Sequence, residues 1–522
     1  MVLRGKINGR LLVSLAFGVL VFLFWLCLYP HALSYQEQNQ LFLWTCDYLL
    51  RDLAQAGGLA DYLGEFFTQF YYVTWLGALV LALLLSLFRY AFALVLRAAA
   101  IGVSGKGSIV AFSLSFVPAL LMIAVMGDYC VRLTFLVALT LALLTVAFSS
   151  RSSYAFPCCL LADVLLVPLA FWLLGGIAAW VYIVLRLVVL LRRYGHAALP
   201  SLALPVYLVA VQTIVANSVL PSWLPNDVLL GRHYYSTPMK YPCTKWGFDE
   251  EEYDIIRLDW LVRNKRWDDI LLMLDRKHVD NAFASNCANL ALAQKGMLAE
   301  KMFSYYQSGP DALLLYSVRD NLSDYPTMEA FWLLGMVNSC LRYASDLQES
   351  ILNARKSGRL TRRIAECHIV NGNYKAARKH LRLLRHSLFY SQWARQAEAM
   401  LGDETAINAH PVYGKMRRLR FRSDFLYKYE DKAQMLGKLF MDNTDNKMAL
   451  DYFMGQLLLD GNHKAFMAYI NWVAKYGGYE QMPAAYKDAL TAIKANGNVL
   501  GSPYALYINS QIEKIEPRNE AR

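Results

Sequence analysis

Up to Pro221 the chain is a succession of long apolar runs broken by short polar stretches; beyond it, apolar residues recur at helical spacing within an otherwise polar sequence. Runs at residues 11–28, 72–88, 108–126, 133–148, 156–174, 176–191 and 200–221 have the length that crosses a hydrocarbon core of about 30 Å at roughly 1.5 Å per residue. Residues 156–191 are apolar throughout, and one helix over them would be about 54 Å long and overshoot the core. Gly175-Gly176 is therefore read as a reversal, which gives seven spans. The first run is read as an uncleaved anchor, because it is longer and more aromatic than the usual 7–15-residue signal core, although Ala32-Leu33-Ser34 resembles a cleavage site.

Charge tests this count independently, since Lys and Arg near membrane ends are retained on the cytoplasmic side. With seven spans, Arg4, Lys6, Arg10, Arg89, Arg97, Lys106, Arg151, Arg186, Arg192 and Arg193 all fall inside or at the inner edge. The outer loops hold Arg51 and Arg132 against Glu37, Asp47, Asp52, Asp61, Glu65 and Asp128. An odd number of crossings places the C-terminal part outside the cytoplasm.

Composition agrees with the division. The chain is 56% hydrophobic and 18% charged, outside the range of an ordinary soluble protein. Residues 1–221 carry twelve Lys/Arg and seven Asp/Glu, the remainder forty and thirty-four. The fold class expected is all-α: a membrane bundle at 1–221 with interfacial helices at 36–70, a connector at 222–252, and a soluble helical-repeat domain at 253–522. Both parts are mildly basic, and in the first the basic residues are confined to loops, where insertion direction explains them; nucleic acid is not an expected partner.

One acid falls within a span. A carboxylate at that depth is costly enough to require a partner, and a reversal at Gly175-Gly176 would bring Asp163 level with Arg186 on the next helix. The pair is read as fixing the hairpin, with a proton or substrate relay as the functional alternative. Arg186 could instead snorkel, leaving Asp163 to Gln212 or Asn217.

The long loop after the first span is amphipathic. Leu59, Tyr62, Leu63, Phe66, Phe67 and Phe70 recur at three- and four-residue spacing, opposite a stripe of Asp61, Glu65 and Gln69. Such helices lie along a membrane surface. In architecture this loop resembles that of the GT-C membrane glycosyltransferases, which use lipid-linked sugars and carry surface helices and an essential acid in the first outer loop. The resemblance implies Glu37 as the essential acid, with Asp61 or Glu65 assisting; the family's acidic pair with one intervening residue is absent.

Other motifs name no reaction. Gly102-Val103-Ser104-Gly105-Lys106-Gly107 lacks the leading glycine and the final Ser/Thr of a phosphate-binding loop and reads as a basic cytoplasmic turn. No nucleophile elbow and no His-Glu-x-x-His pair occurs, and the nine cysteines show no zinc spacing. A disulfide among Cys243, Cys287, Cys340 and Cys367 is left open. No cofactor is expected, and the sequence leaves a metal undecided.

Beyond the connector the pattern is helical to the end. Residues 363–385 resemble a tetratricopeptide helix pair, with Ala365, Gly372, Tyr374, Ala377 and Leu381 at the small, turn and packing positions. Weaker copies centre on Lys265-Arg266-Trp267, Gly296 and Gly461. Such pairs cannot bury their apolar faces alone, so neighbours stack, and arrays of them present a surface to a protein or peptide. The basic run Lys415–Arg422 is read as a solvated helix face.

As a whole the chain resembles an uncharacterised Bacteroidota family of multi-spanning proteins with a tetratricopeptide-like tail, through Ser34–Phe42 and Gly57–Tyr72. This resemblance implies an inner-membrane protein with a cytoplasmic N-terminus and a periplasmic tail. The function expected is an envelope scaffold that contacts membrane lipids and recruits a protein partner through the repeats; the alternative is a GT-C-like glycosyltransferase.

Overall fold

The computed structural model describes residues 9–99, 106–151, 154–222, 225–230, 247–316, 322–351, 355–421, 431–495, 499 and 501–520. Residues 102–105 of the glycine-rich turn, most of the connector including Cys243, and Arg422 of the basic run lie outside them. The described residues form helices and no strand. They divide into two compact units that are interleaved in sequence. The first comprises Met1–Tyr253, Ile351–Gly358 and Leu383–Gln392; the second comprises Asp254–Ser350, Arg359–Arg382 and Trp393–Arg522. Boundaries drawn along the sequence at 221 and 252 therefore miss two short segments that complete the first unit.

In the first unit, α1 (Gly9–Leu23) continues through a π-helical turn at Phe24–Leu28. Three short helices follow, α2 (Pro30–Gln38), α3 (Cys46–Leu53) and α4 (Gly58–Thr68). The apolar helices are α5 (Thr74–Ala98), α6 (Lys106–Leu114), α7 (Phe116–Met126), α8 (Leu133–Ser149), α9 (Phe156–Leu174), α10 (Gly176–Tyr194) and α11 (Leu204–Ser218). Among the described residues five stretches are long and apolar enough to cross a membrane: Gly9–Leu28, Thr74–Ala98, Ile109–Met126, Phe156–Leu174 and the 43-residue Gly176–Ser218; Leu133–Ser149 is apolar but shorter.

The chain breaks between α9 and α10 for two separate reasons. Gly175 has φ 92°, a region that side chains rarely enter, and a Cβ on Gly176 would lie 2.1 Å from the Leu229 carbonyl oxygen. The expected last span begins later than position 200: residues Gly195–Ala203 are 3₁₀ helix, and α11 starts at Leu204 with Pro205 in its first turn. Helix α5 runs ten residues past its expected end at Phe88, taking Arg89 inside. There Arg89 donates to Ser14 Oγ at 3.0 Å and Ser115 Oγ at 3.3 Å and lies over the Phe116 ring at 4.7 Å.

The second unit is built from helix pairs joined by one recurring turn. Helix α12 (Pro225–Leu230) still belongs to the first unit, and α13 (Glu250–Arg263) leads into the second, with α14 (Trp267–Arg276), α15 (Ala282–Gln294), α16 (Leu298–Lys301), α17 (Tyr325–Leu334), α18 (Val337–Ser350), α19 (Gly358–Val370) and α20 (Tyr374–Leu384) following. Lys265, Gly296, Gly335, Gly372 and Gly461 all have positive φ. In each case the next residue donates its N–H to the carbonyl five positions earlier: Arg266 to Leu261, Met297 to Leu292, Met336 to Phe331, Asn373 to His368 and Asn462 to Leu457, at 2.8–2.9 Å. This is the Schellman closure of a helix C-terminus. The following helix begins one residue later, at Trp267, Leu298, Val337, Tyr374 and His463. Three of the four turns singled out in sequence carry glycine; the fourth places Lys265 at φ 55°.

Candidate functional site

The spacing of Asp61 and Glu65, four residues apart on α4, puts both carboxylates on one helical face. That face is turned inward. Asp61 and Glu65 are each 1% exposed, while Leu59, Tyr62, Leu63, Phe66, Phe67 and Phe70 on the opposite face are only half-buried. The inversion depends on close approach to α8: a Cβ on Gly64 would meet Thr134 Oγ1 at 2.4 Å, so no larger residue fits between the helices. The polar stripe of the helix therefore packs against protein, and its apolar stripe is the more exposed one.

Arg132, the residue before α8, joins the two acids. Its Nη1 lies 3.1 Å from Asp61 Oδ1 and its Nη2 2.9 Å from Glu65 Oε1, so the planar fork spans the four-residue gap. Thr134 Oγ1 donates to Asp61 at 3.1 Å, and the Tyr48 hydroxyl donates to Glu65 Oε2. From the segment Ile351–Gly358 of the same unit, Arg355 pairs with both Asp61 and Glu65. Asp52 on α3, also 1% exposed, pairs with the exposed Arg51 at 3.3 Å. Three carboxylates thus face three guanidinium groups, two of them buried.

Burial decides the titration of this cluster. It raises Glu65 to about 7, with Arg132 the largest opposing influence. Burial also raises Asp61 and Asp52, opposed mainly by Arg132 and Arg355 respectively. For Arg355, burial outweighs the attraction of Asp52 and lowers the guanidinium to about 10. For Arg132 the balance reverses: burial disfavours its charge, but Asp61 and Glu65 hold it above the ordinary value.

Glu37, on α2, is not part of this cluster. It is 3% exposed and its Oε1 accepts from the Tyr390 hydroxyl at 2.9 Å. Tyr390 belongs to the segment Leu383–Gln392, and a Cβ on Gly358 would strike its ring at 2.4 Å, so that glycine keeps its place open. A cavity of about 20 Å³ lined by Gln36, Asn39, Gln40, Thr68, Tyr129 and Arg132 lies beside α2. That is room for about one water molecule. Glu37, Asp61 and Glu65 are thus all buried against protein side chains.

Asp163 and Arg186 stand where the reversal at Gly175 brings them. Arg186 Nε lies 2.9 and 3.0 Å from the two Asp163 oxygens, Tyr182 donates to the same carboxylate at 2.7 Å, and Arg186 Nη1 donates to Ser150 Oγ at 2.8 Å. Gln212 bonds instead to the Leu229 carbonyl at 3.4 Å.

Arg355 and Tyr390 carried no mark in the sequence, and Tyr48 only as an aromatic suited to a membrane interface. Arg132 did, as one of two outer arginines among six outer acids. Among the described residues no group of three or more His, Cys, Asp or Glu is placed to hold a metal ion. Compared with known proteins, the chain matches a family model described as a family of unknown function, DUF6057, over residues 6–513. No curated protein and no solved structure matches it.

Proposed function

Since the chain belongs to this family of unknown function, DUF6057, we propose its role from its own residues: an integral membrane scaffold whose helical-repeat domain binds a protein partner outside the cytoplasm. The observation that carries this reading is that Glu37, Asp61 and Glu65 are each buried and bonded to a protein side chain. Acids held in this way fix structure.

Seven crossings fit the helices. Gly176–Ser218 is far too long for one crossing and bends where Gly195 adopts φ 57° and ψ −131°, and Leu133–Ser149 is long enough to cross with modest bilayer thinning. The cytoplasmic N-terminus and the outside placement of the C-terminus, periplasmic in a bacterial inner membrane, follow from the distribution of Lys and Arg. The five matching Schellman turns support degenerate tetratricopeptide-like pairs, and arrays of that kind recognise peptides and proteins.

A GT-C-like enzyme is the second reading. In its favour, three short helices and a buried acid follow directly on the first apolar helix, as in the outer loop of that class. Substituting Glu37→Gln in a cell that depends on the protein separates the two. The scaffold predicts normal growth and unchanged surface glycan, because glutamine still accepts from Tyr390; the enzyme predicts loss of glycan.

A further inference from the structure

In the second unit, Cys340 on α18 and Cys367 on α19 face one another with their Sγ atoms 3.7 Å apart, both fully buried. Their surroundings hold them there. Arg363, one turn before Cys367, pairs with Glu329 of α17 at 2.6 Å and Glu366 at 2.8 Å and lies over the Trp332 ring at 4.5 Å. Turning the two side chains toward each other has to shorten the gap by about 1.7 Å to reach the disulfide distance of about 2.0 Å. We propose that Cys340 and Cys367 form a structural disulfide in the mature protein. The inference rests on the reading that this unit lies outside the cytoplasm, where disulfides persist.

The oxidant is the disulfide of a thiol oxidoreductase. The thiolate of one cysteine attacks a sulfur of that disulfide, forming a mixed disulfide and releasing one donor thiolate. The second cysteine thiolate then displaces the other donor sulfur; the donor leaves as a dithiol, carrying both electrons, and the two cysteine protons pass to solvent and donor. Exchange has to precede closure of the fold, because both thiols are fully buried once it has closed. The bond would close the stretch of chain that carries Arg355, the residue that pairs with Asp61 and Glu65.

The test uses the full-length protein in its own membranes, acid-quenched and alkylated with N-ethylmaleimide, then digested without reductant and mapped by mass spectrometry. A linked Cys340–Cys367 peptide, two hydrogens lighter than the two reduced peptides, is expected. So is a melting midpoint that falls with reductant in the native chain and no longer responds in the Cys340→Ala/Cys367→Ala variant. Alkylation of both thiols, or a bond from either to Cys243 or Cys287, overturns the proposal. A C-terminal reporter active only outside the cytoplasm, read in the same cells, tells whether the disulfide alone has failed or the outside placement with it.

Discussion

Tyr390 donates its hydroxyl hydrogen to Glu37 Oε1 at 2.9 Å, joining residues 353 positions apart in the chain. A buried hydrogen bond to a charged group contributes about 1.5–3 kcal/mol. Tyr390→Phe is therefore expected to lower the unfolding free energy by about 2 kcal/mol. Glu37→Gln, which keeps an acceptor, should cost less than about 1 kcal/mol. Thermal unfolding of the detergent-solubilised protein checks both, and equal losses would mean that the bond itself contributes little.

Arg355 brings the second guanidinium to Asp61 and Glu65. Removing one member of a buried charge network costs about 3–5 kcal/mol, whereas replacing both partners by apolar residues of similar volume is often neutral. Arg355→Met is expected to destabilise by about 3 kcal/mol, and adding Glu65→Met to restore more than half of that. Additive losses in a double-mutant cycle would refute the coupling.

The raised Glu65 carboxyl makes stability depend on pH in a definite direction. Below the ordinary value of 4.5 the acid is protonated both folded and unfolded and has no effect. Between 4.5 and about 7 the unfolded chain releases its proton and the folded one retains it, so stability falls as pH rises and levels off above about 7. Asp451 in the second unit, which accepts from Tyr479 at 2.8 Å and is raised by burial from 3.8 to about 7, acts in the same sense. Melting midpoints from pH 4.5 to 8 should decline, and Glu65→Gln together with Asp451→Asn should flatten the profile. An unchanged slope in the double variant would assign it to other groups.

At Gly64 the contact with α8 leaves no space for a side chain. Gly64→Leu should therefore cost about 3 kcal/mol or prevent assembly. Gly372→Ala tests a different term: open space surrounds it, but φ is 78°, so the cost is conformational and about 1 kcal/mol. Conversely, Lys265→Gly relieves a non-glycine residue at φ 55° and should raise stability by up to about 1 kcal/mol. Chemical denaturation of each variant gives these differences.

The reversal at Gly175-Gly176 was legible because a length argument forbids the alternative, and the meeting of Asp163 with Arg186 follows from it. The two-sided character of α4 was legible too, since periodicity records two faces. Which face turns inward was not. That choice depends on Gly64 against Thr134 and on arginines at positions 132 and 355, and no local pattern connects residues 294 positions apart. The later start of α11 and the inward turn of Arg89 escaped for a similar reason: serines on neighbouring helices accept a charge that hydropathy alone places at an interface.

The interleaving of the two units fixes an order of events during biosynthesis. When Asp61 and Glu65 leave the ribosome, Arg355 is still 294 residues away, roughly 15–60 s at translation rates of 5–20 residues per second. Arg132 follows 71 residues after Asp61, and from then until Arg355 is made it is the buried partner available to the two acids; Tyr390 arrives later still. A ribosome paused before codon 355 thus leaves an inserted but unfinished membrane half, which is the species that membrane quality control would meet first.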